Sequence, residues 1–342
     1  MGSQEHDKRH WFITGGCGFI GSNLIESLVA DGCPVRVYDN LTVGTREALA
    51  AVTPFDEVEA DAPWSGGVQL VVGDILDGDR IAAAAKEGDV IVHLAACTGV
   101  PDSVRDPHFD CRTNVQGTLN TLEAARHGSA KRFIFASSGA PAGNVEPPIH
   151  EEIVPKPVAP YGASKLAGEA YCSAYAQTFD VETVALRFGN VYGPKSGHKT
   201  SVVAKWIALA MQGKPIEIYG DGTATRDFIF TTDLIDAIHK AATAPTQNVS
   251  GEVFQIATSH ETTVGELAEM LQARLAAHGL PVPKVAFSAT RLGDIARNFS
   301  DTSKAASLLD WQATIRIEEG LDVILAASSE QQELDIADGR TS

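Results

Sequence analysis

Short β-branched runs alternate with longer runs of helical spacing through the first half of the chain, and this alternation restricts the fold more than any other feature. Buried strands are indicated by HWFIT, VRVYD, VQLVVGD, DVIVHLAA and KRFIFASS, with VETVALRF and EVFQIAT as a sixth and a seventh strand. The intervening segments space their apolar residues as helices do. Strict alternation requires right-handed crossovers. We therefore predict an α/β fold with a doubly wound parallel sheet covered on both faces.

Two segments interrupt this alternation. Residues 189–227 are richer in glycine, proline and basic side chains, and residues 261–326 are mainly helical. We predict that these segments fold together as a smaller C-terminal α/β lobe. The sheet domain is expected to comprise residues 8–188, with about 228–260 returning to it, and residues 327–342 are expected to form a flexible tail.

Charge and cysteine content argue against several classes of protein. The 342 residues include 27 Lys and Arg against 44 Asp and Glu, a formal net charge of −17, which argues against nucleic acid or an anionic membrane as a partner. No apolar run reaches the ~20 residues of a membrane span, and MGSQEHDKRH lacks an apolar signal core. Five scattered cysteines without a Cys-x-x-Cys pair argue against a disulfide scaffold or a zinc site. We therefore expect a cytoplasmic protein without a bound metal.

The segment ITGGCGFIG joins the first strand to the first helix and has the spacing of a dinucleotide-binding turn. Gly15, Gly18 and Gly21 lack Cβ atoms, so a pyrophosphate can approach the backbone and face the helix N-terminus. Asp39 closes the second strand, 18 residues after Gly21. A carboxylate there accepts hydrogen bonds from both hydroxyls of the adenosine ribose and repels a 2′-phosphate, which favours NAD over NADP. The third strand ends at Asp74, which could flank an adenine or belong to an ordinary surface turn.

A serine pair and a Tyr–Lys pair form a second candidate site. The fifth strand ends in Ser137-Ser138, and a helix begins at PYGASK, with Tyr161 and Lys165 four residues apart. Alone, a serine pair is a common turn device and a Tyr–Lys pair a common surface pair. The two pairs therefore need a further observation before they can be assigned to one site.

The chain resembles the extended short-chain dehydrogenase/reductase family, in its nucleotide-sugar epimerase/dehydratase branch, from about residue 10 to 325. The resemblance rests on TGGCGFIG, VVGDI, HLAA, NVQGTLNTLEAAR, PYGASK, LRFGNVYGP, IYGDGTATRDFIF and RLGDIARNFSD. It implies a Rossmann-like N-terminal domain that binds NAD and a C-terminal lobe that binds a nucleoside diphosphate sugar, with a UDP-sugar favoured. It also implies a homodimer through the helices that contain Asn114–Arg126 and Tyr161–Phe179.

The resemblance also implies the catalytic residues. Tyr161 would be the acid and base, Lys165 its electrostatic partner and a ligand of the nicotinamide ribose, and Ser138 a hydrogen-bond partner of the reacting hydroxyl. Ser137 is the less suitable alternative to Ser138. A free phenol has a pKa near ~10, so work as a base at neutral pH requires a fall of about 3, or ~4 kcal/mol. A neighbouring ammonium and the positive ring of oxidised NAD favour the phenolate, so we expect a lowered pKa for Tyr161.

Further positions that match the family are expected to contact the ligands. Those facing NAD, besides the residues already named, are Phe19, Ile20, Asn40, Ile75, Leu94, Ala95, Ala96 and Asn114. Those facing the nucleotide sugar are Asn190, Arg226, Arg291, Asp294 and Asn298. Arginine suits a diphosphate because its planar fork donates hydrogen bonds in pairs. Lys199 belongs with Lys195 and His198 to a basic loop that either closes over the substrate or is simply solvated.

The residues after Ser138 bear on the choice of reaction. Dehydratases and decarboxylases of this family place acidic residues there, whereas this chain has Gly139 and Ala140. The resemblance therefore implies 4-epimerisation, in which Tyr161 and NAD oxidise carbon 4 and the transient 4-keto sugar is reduced on its other face. A dehydratase, a reductase and a non-catalytic NAD-sensing protein on the same fold are the alternatives.

Two departures from the family pattern concern the sugar pocket. Pro141-Ala142-Gly143 replaces the common Val-Tyr-Gly, which removes an aromatic ring. Asn298 stands where a bulky tyrosine restricts related epimerases to glucose and galactose, and where smaller residues admit N-acetylated sugars. We therefore hypothesise a broadened pocket that accepts UDP-N-acetylglucosamine or an acidic sugar.

Overall fold

The structure is a computed structural model that describes residues 9–196, 201–289 and 296–326. Its strands are, in chain order, β1 Trp11–Thr14, β2 Val35–Asp39, β3 Asp56–Glu57, β4 Val68–Val72, β5 Val90–His93, β6 Arg132–Ser138, β7 Thr183–Phe188, β8 Asn190–Tyr192, β9 Ile216–Tyr219, β10 Thr225–Arg226, β11 Phe228–Phe230, β12 Glu252–Ile256, β13 Thr262–Thr263 and β14 Val285–Ser288. Its helices are α1 Phe19–Ala30, α2 Arg46–Ala50, α3 Gly78–Ala85, α4 Val100–Arg105, α5 Pro107–Cys111, α6 Gly117–His127, α7 Pro160–Phe179, α8 Val202–Met211, α9 Thr231–Thr243, α10 Thr246–Val249, α11 Val264–Ala277, α12 Ser303–Leu309 and α13 over residues 317–326. A π-helical turn, Arg112–Gln116, joins α5 to α6, and a 3₁₀ turn, Ala140–Ala142, follows β6. None of the described helices is long and apolar enough to cross a membrane.

Eight of the strands form one parallel sheet in the order β12-β7-β6-β5-β1-β2-β4-β3. The predicted doubly wound sheet is confirmed, and its eighth strand, β3, is a two-residue edge strand that the sequence patterns did not predict. β1 pairs with β2 on one side and with β5 on the other. The winding direction therefore reverses at β1, and this switch point opens a crevice at the carboxyl ends of the strands.

Alternate residues of the strands enter two hydrophobic clusters, one on each face of the sheet. In β1, Trp11 and Ile13 join the cluster that includes residues of α1, α9 and α12, whereas Phe12 joins the cluster with α3, α6 and α7. Both faces of a parallel sheet are normally covered by helices, because the crossover connections place them there. Except for the exposed edge strand β3, the strands are accordingly largely buried on both faces, which explains their nearly continuous apolar runs.

A third hydrophobic cluster lies outside the sheet and joins segments that are far apart in sequence. Trp206 of α8, Ile216 of β9, Leu271 of α11 and Leu321 of α13 all belong to it. β9 pairs in parallel with β14, and β8 pairs in parallel with β11. Two segments of the chain therefore meet in one packed unit. The first contains β8, α8 and β9 and begins directly after β7, and the second contains α11, β14 and α13.

Candidate active site

The glycine turn after β1 is shaped by two close backbone contacts. Gly15 has φ +68°, and a Cβ atom there would lie 2.8 Å from the backbone nitrogen of Ala95. A Cβ atom on Gly21 would lie 2.5 Å from the Cα of Gly16. Gly15 and Gly21 are therefore required by the protein itself, because any side chain would push the turn away from its neighbours.

Gly18 differs from these two glycines. A Cβ atom there would meet only the carbonyl oxygen of Gly15, at 3.2 Å. Gly18 is also the N-cap residue of α1, and no side chain caps this helix end. Phe19 and Ile20 follow it as the first residues of α1. This exposed backbone at a helix N-terminus is suited to the close approach of a pyrophosphate, and the helix dipole favours its negative charge.

Asp39 lies at the carboxyl end of β2, against the glycine turn. Its Oδ2 accepts a hydrogen bond from the Cys17 amide at 3.0 Å, and its Oδ1 accepts one from the Leu41 amide at 2.8 Å. Burial raises the pKa of this carboxyl, and the two amides oppose that rise. Each carboxylate oxygen keeps a further lone pair for a ribose hydroxyl. The residues present thus fit NAD, whose free 2′-hydroxyl can donate to Asp39.

Three predicted adenine and ribose contacts lie at the same edge of the sheet. Asn40 donates from Nδ2 to Oδ2 of Asp74 at 3.0 Å. Tyr38 donates from its hydroxyl to the Asp74 carbonyl at 3.0 Å. The Ile75 carbonyl accepts from Nδ2 of Asn120 at 2.8 Å. Asp74 and Ile75 therefore belong to a hydrogen-bonded loop beside Asp39, and Asp74 is more than an isolated surface turn.

The loop after β5 packs on the glycine turn. The Leu94 amide donates to the Thr14 carbonyl at 3.1 Å, and the Ala95 amide donates to Oγ1 of Thr14 at 3.2 Å. Asn114, in the π-helical turn, accepts from the Cys97 amide at 2.8 Å and donates to the Cys97 carbonyl at 2.9 Å. Leu94, Ala95 and Ala96 therefore line the switch point, whereas the Asn114 amide is engaged in holding this loop in place.

Ser138 and Tyr161 meet where β6 ends and α7 begins. Pro160 occupies the first turn of α7. The loop that follows Ser138, residues 139–143, is called the serine loop below. Gly162 lets the first turn of α7 approach this loop, because a Cβ atom on Gly162 would lie 2.6 Å from the Ala140 carbonyl oxygen. A side-chain hydrogen bond joins the Tyr161 phenol to the Ser138 hydroxyl. Part of the surface of Tyr161 remains accessible to solvent.

Lys165 follows one turn later on α7 and is buried. Its Nζ donates to the Ala136 carbonyl of β6 at 2.8 Å and lies 4.9 Å from the centre of the Phe135 ring. Gly168 permits this close approach of helix and strand, because a Cβ atom there would lie 2.3 Å from the Phe135 ring. The structure thus brings together the three residues that the family resemblance assigns to catalysis.

Ser137 lies on the other face of β6. Its hydroxyl donates to Oε1 of Glu169, which also accepts from Nε of Arg187 at 2.8 Å in a buried ion pair. Ser137 is therefore tied to the ion pair inside the protein, and Ser138 is the serine that contacts Tyr161.

The chain's own residues raise the pKa of Tyr161, so the prediction of a lowered pKa is wrong for the chain alone. Burial raises it to about 12, and the hydrogen bond from Ser138 opposes the rise only in part. Burial also lowers the pKa of Lys165 to about 8, against the negative charges of Asp110 and Glu169. The physical reason is desolvation: each buried group loses the hydration of its charged form. Lys165 also donates to a main-chain carbonyl rather than to the phenol.

Asp110 is a buried carboxylate beside this group that the sequence patterns did not single out. Its Oδ1 accepts from Nδ2 of Asn114 at 3.0 Å, across the start of the π-helical turn. Its charge acts on both Tyr161 and Lys165. The only sequence signal is an Asp and an Asn four residues apart, a spacing that many helices share.

Three of the predicted substrate residues lie close together. The main-chain N–H of Asn190 donates to the main-chain carbonyl of Asp227 at 2.7 Å, and this bond places Asn190 beside Arg226. The Asn298 amide donates to Oγ1 of Thr225, the neighbour of Arg226, at 3.2 Å. A Cβ atom on Gly139 would lie 3.9 Å from the Asn298 side-chain amide. Asn298 therefore connects the lobe to the loop that follows Ser138.

The other predicted substrate residues, Lys199, Arg291 and Asp294, lie outside the described residues. Lys195, on the same basic loop as Lys199, forms an ion pair with Glu26 of α1.

Arg297 links the serine loop to the lobe in the same region. Its Nη1 lies 2.8 Å from Glu146, which follows the serine loop, and its Nε lies 2.8 Å from Glu261. The hydrogen bonds from Arg297 and Thr225 lower the pKa of Glu261 to about 2. Sequence reasoning missed this bridge because Glu146 and Glu261 are distant in the chain.

The buried histidine in β5 has a structural environment. His93 contacts Oγ1 of Thr14 through Nδ1 at 2.8 Å and Oγ1 of Thr118 through Nε2 at 3.1 Å. Burial lowers its pKa to about 3, so it is neutral at physiological pH. Within residues 9–196, 201–289 and 296–326, no group of three or more His, Cys, Asp or Glu side chains could hold a metal ion.

The fold and the site together define a Rossmann-like, NAD-binding member of the extended short-chain dehydrogenases/reductases. Comparison with known proteins makes the assignment more specific. The sequence matches the NAD dependent epimerase/dehydratase family over residues 11–257, and the chain belongs to this family. NAD is accordingly its cofactor.

Known relatives differ in the reaction that they catalyse. The chain is 34% identical over 314 residues to the UDP-glucose 4-epimerase of Mycolicibacterium smegmatis, which covers 90% of this chain and 95% of that protein. It is 32% identical over 270 residues to the UDP-N-acetyl-alpha-D-glucosaminuronate decarboxylase of Bacillus cytotoxicus, covering 77% and 79%. The crystal structure of Thermus thermophilus UDP-glucose 4-epimerase in complex with NAD matches with a TM-score of 0.80 at 30% identity, covering 93% of this chain and 98% of that one.

Proposed function

We propose that this protein epimerises carbon 4 of a UDP-sugar through a transient 4-keto sugar. The observation that carries the proposal is the hydrogen-bonded pair of Ser138 and Tyr161, where β6 ends and α7 begins. Gly139 and Ala140 follow it, and neither can act as an acid or a base in elimination. Dehydration and decarboxylation in this family use an acidic residue at these positions, and Gly139 and Ala140 do not supply it.

The catalytic residues divide the work between proton transfer and electrostatics. When bound, NAD supplies the acceptor for the hydrogen of carbon 4 and, in its oxidised form, a positive ring that favours the phenolate. Tyr161 accepts the proton of the 4-hydroxyl and later returns it, while Ser138 holds the hydroxyl by a hydrogen bond. Lys165 contributes positive charge from within α7. Turnover at neutral pH requires the charge of the oxidised cofactor, because burial alone raises the pKa of Tyr161 to about 12.

The lobe provides the surface on which the UDP moiety would bind. We propose the predicted division of the chain, with residues 189–227 and 261–326 as the sugar-nucleotide lobe, and we assign the diphosphate to Arg226 and Arg291. Asn190 lies beside Arg226 at the edge of β8. A dianionic diphosphate in an acidic protein requires such local donors.

The sugar pocket is proposed to be broad. The side-chain amide of Asn298 approaches Gly139, and because Gly139 has no side chain, the space between the two residues stays open. Pro141 and Ala142 are buried in the 3₁₀ turn and present no aromatic ring to the sugar. The pocket would therefore accept an N-acetyl group or a carboxylate that a tyrosine would exclude.

A panel of substrates tests both proposals. Purified protein is incubated with UDP-glucose, UDP-N-acetylglucosamine and UDP-glucuronate, and the products are separated and weighed by mass spectrometry. Epimerisation leaves the mass unchanged, whereas loss of carbon dioxide would establish a decarboxylase and loss of water a dehydratase. Exclusive use of UDP-glucose would refute the broad pocket while leaving the epimerase proposal intact.

We also propose a homodimer formed through α6 and α7, the helices that the resemblance implies, with the neighbouring α4 and α5 at the margin of the interface. Val104 and Phe109 are exposed there, with 62% and 46% of their surface accessible, and Tyr171 and Phe179 of α7 add to the apolar area. A second copy of the chain would cover these side chains, as in the dimer that the resemblance implies. Phe109→Asp is expected to convert the dimer to a monomer in sedimentation equilibrium, and a wild-type protein that already sediments as a monomer would refute the proposal.

A further inference from the structure

Asp110 combines deep burial with an incomplete set of hydrogen bonds. It lies in α5 with 1% of its surface exposed. Oδ1 accepts from Asn114, and the buried Oδ2 lacks a well-formed hydrogen bond among the described residues. Burial raises the pKa of this carboxyl, and Ser164, Lys165 and Asn114 oppose the rise. Burying a carboxylate oxygen without a hydrogen-bond partner destabilises a fold. The function assigned to Tyr161, Lys165 and Ser138 does not by itself account for it.

A chain of hydrogen bonds leads from Asp110 to the catalytic helix. Asn114 donates from Nδ2 to Oγ of Ser164 at 3.1 Å, and Ser164 donates to the Tyr161 carbonyl at 3.1 Å. Ser164 is the residue immediately before Lys165 in α7. The carboxylate is therefore fixed relative to the turn of α7 that carries both catalytic side chains.

Lys165 lacks a carboxylate in direct contact within the described part of the chain. Its Nζ donates to the Ala136 carbonyl, a neutral acceptor. The ammonium therefore depends on charges at longer range to remain protonated in a buried position.

We propose that Asp110 is a positioning residue, whose fixed negative charge sets the charge balance between the Lys165 ammonium and the Tyr161 phenol. It does so through the electrostatic field rather than by touching substrate or cofactor. The negative charge stabilises the ammonium and opposes the phenolate, so it acts on both members of the catalytic pair in a defined direction. The inference rests on the proposed function where it is tested by kinetics, because the kinetic test requires turnover. The spectroscopic test does not require turnover.

Other charged groups around the pair are compensated, neutral or exposed. Glu169 is paired with Arg187, His93 is neutral at physiological pH, and Asp102 is paired with Arg105 on α4. The remaining titratable side chains on α5, on α7 and on the elements packed against them are Cys97, Asp106, His108, Cys111, Arg112, Glu123, Arg126, His127, Arg132, Tyr171, Cys172 and Tyr175. Burial raises the pKa of Cys97 and of Cys172, which keeps both thiols neutral, and Asp106, His108, Cys111, Arg112 and Tyr171 are exposed. Glu123 is hydrogen-bonded to Tyr175 and paired with Arg126 and His127, and Arg132 is paired with Glu182. Asp110 is thus a buried carboxylate without an ion pair in this part of the described structure, and its charge acts on both Lys165 and Tyr161.

The sign of the effect distinguishes an electrostatic role from a structural one. Asp110→Asn removes the charge, which lowers the pKa of Lys165 because its ammonium loses a stabilising partner. The same change lowers the pKa of Tyr161 because its phenolate loses a repelling neighbour. The acid limb of the kcat/KM profile reports the phenolate and the alkaline limb the ammonium, so both limbs are expected to move to lower pH. At an effective dielectric constant near 20, the shift is on the order of one pH unit.

The kinetic test compares three variants with the wild type across the pH range. Asp110→Asn is expected to shift both limbs downward, whereas Asp110→Glu keeps the charge and is expected to leave both limbs in place. Asp102→Asn removes an exposed, paired charge from the neighbouring helix and serves as the matched control. Limbs that stay in place in Asp110→Asn, or that move in opposite directions, overturn the proposal. A reduced rate with unmoved limbs would show a purely structural role.

A spectroscopic test needs no turnover and separates this inference from the proposed function. Tyrosine labelled with ¹³C at Cζ gives at most six resonances, and Tyr161→Phe identifies the one of interest. In NAD-loaded protein, its titration midpoint is expected to fall by about one pH unit in Asp110→Asn. Aspartate labelled with ¹³C at Cγ supplies a measurement on the wild type, so the proposal remains testable if the variant does not fold. A protonated Asp110 at pH 7 in NAD-loaded wild-type protein overturns the proposal.

Discussion

The proposed nucleotide end of the site consists mainly of backbone at the ends of β1, β2 and β5, whereas the proposed sugar end consists of side chains from segments far apart in the chain. Gly15, Gly18 and Asp39 are all positioned within one β-α-β unit. Asn298, by contrast, reaches Thr225 across 73 residues of sequence and approaches Gly139 from the lobe. The first region depends on steric room for the backbone, and the second depends on which side chains the tertiary contacts bring together. Changes at the nucleotide end are therefore expected to abolish binding, and changes at the sugar end to alter specificity.

Tyr161 lies where the two regions meet, so its replacement is expected to have the largest effect. Tyr161→Phe keeps the ring and removes the hydroxyl that exchanges the proton, and turnover is expected to fall by at least ~10²-fold. Retention of NAD and of UDP is expected to be unchanged, as measured by cofactor content and by equilibrium binding. Tyr171→Phe lies on the part of the same helix that is proposed to face a second copy; it keeps the aromatic ring and leaves Tyr161 unchanged, so it is the matched control. Turnover that survives in Tyr161→Phe would show that another residue is the base. A wild-type protein without turnover would instead support the non-catalytic NAD sensor.

The two glycines of the turn separate folding from ligand binding at the nucleotide end. Gly15→Ala imposes a Cβ atom at φ +68° and 2.8 Å from Ala95, so the free energy of unfolding is expected to fall by about 1–3 kcal/mol and NAD to be lost. Gly18→Ala meets only one carbonyl oxygen, so the stability of the NAD-free protein is expected to change little. Its NAD affinity is expected to fall roughly tenfold, ~1.4 kcal/mol. Thermal unfolding and isothermal titration measure the two effects. Equal loss of stability in both variants would contradict the distinction.

The sugar end is expected to respond by a change of preference. Asn298→Tyr fills the space beside Gly139, so turnover of UDP-N-acetylglucosamine is expected to fall about tenfold relative to that of UDP-glucose. Asn298→Ala is the control that leaves the space open and keeps the preference of the wild type. The ratio of the two kcat/KM values is the measurement. A ratio that is unchanged in Asn298→Tyr would place the specificity elsewhere.

The smallest effect is expected at the bridge between the serine loop and the lobe. Arg297→Gln removes the contacts to Glu146 and Glu261, and since exposed ion pairs contribute little, the KM for the sugar nucleotide is expected to change about twofold or less. The bridge contributes above the ordinary glutamate pKa of 4.5 and is lost as pH falls toward about 2, so wild type and variant converge in acid. Arg316→Gln, which removes a local pair with Glu319, is the control. A large loss of activity in Arg297→Gln would show that the bridge holds Asn298 in its working position.

Much of the fold and part of the site could be predicted from short stretches of sequence. The alternating apolar runs predicted the doubly wound sheet, because a strand that is buried on both faces has a nearly continuous run of apolar residues in its own sequence. The spacing of Gly15, Gly18 and Gly21 predicted the dinucleotide turn, because that contact is made by consecutive backbone. The pairing of Tyr161 with Lys165 follows from one helical turn. The choice of Ser138 over Ser137 rested on the family resemblance, and the structure explains it through the buried Glu169–Arg187 pair.

The sequence by itself determined the class of fold, the cofactor turn and the residues available for proton transfer, because each depends on neighbours within one or two elements of secondary structure. Only the tertiary structure decided the direction in which the pKa of Tyr161 moves and the presence of Asp110 behind the catalytic helix. It also brought Asn298 to Gly139. These properties arise from burial and from charges carried by other elements, and the strength of both depends on distances in space that spacing along the chain does not encode.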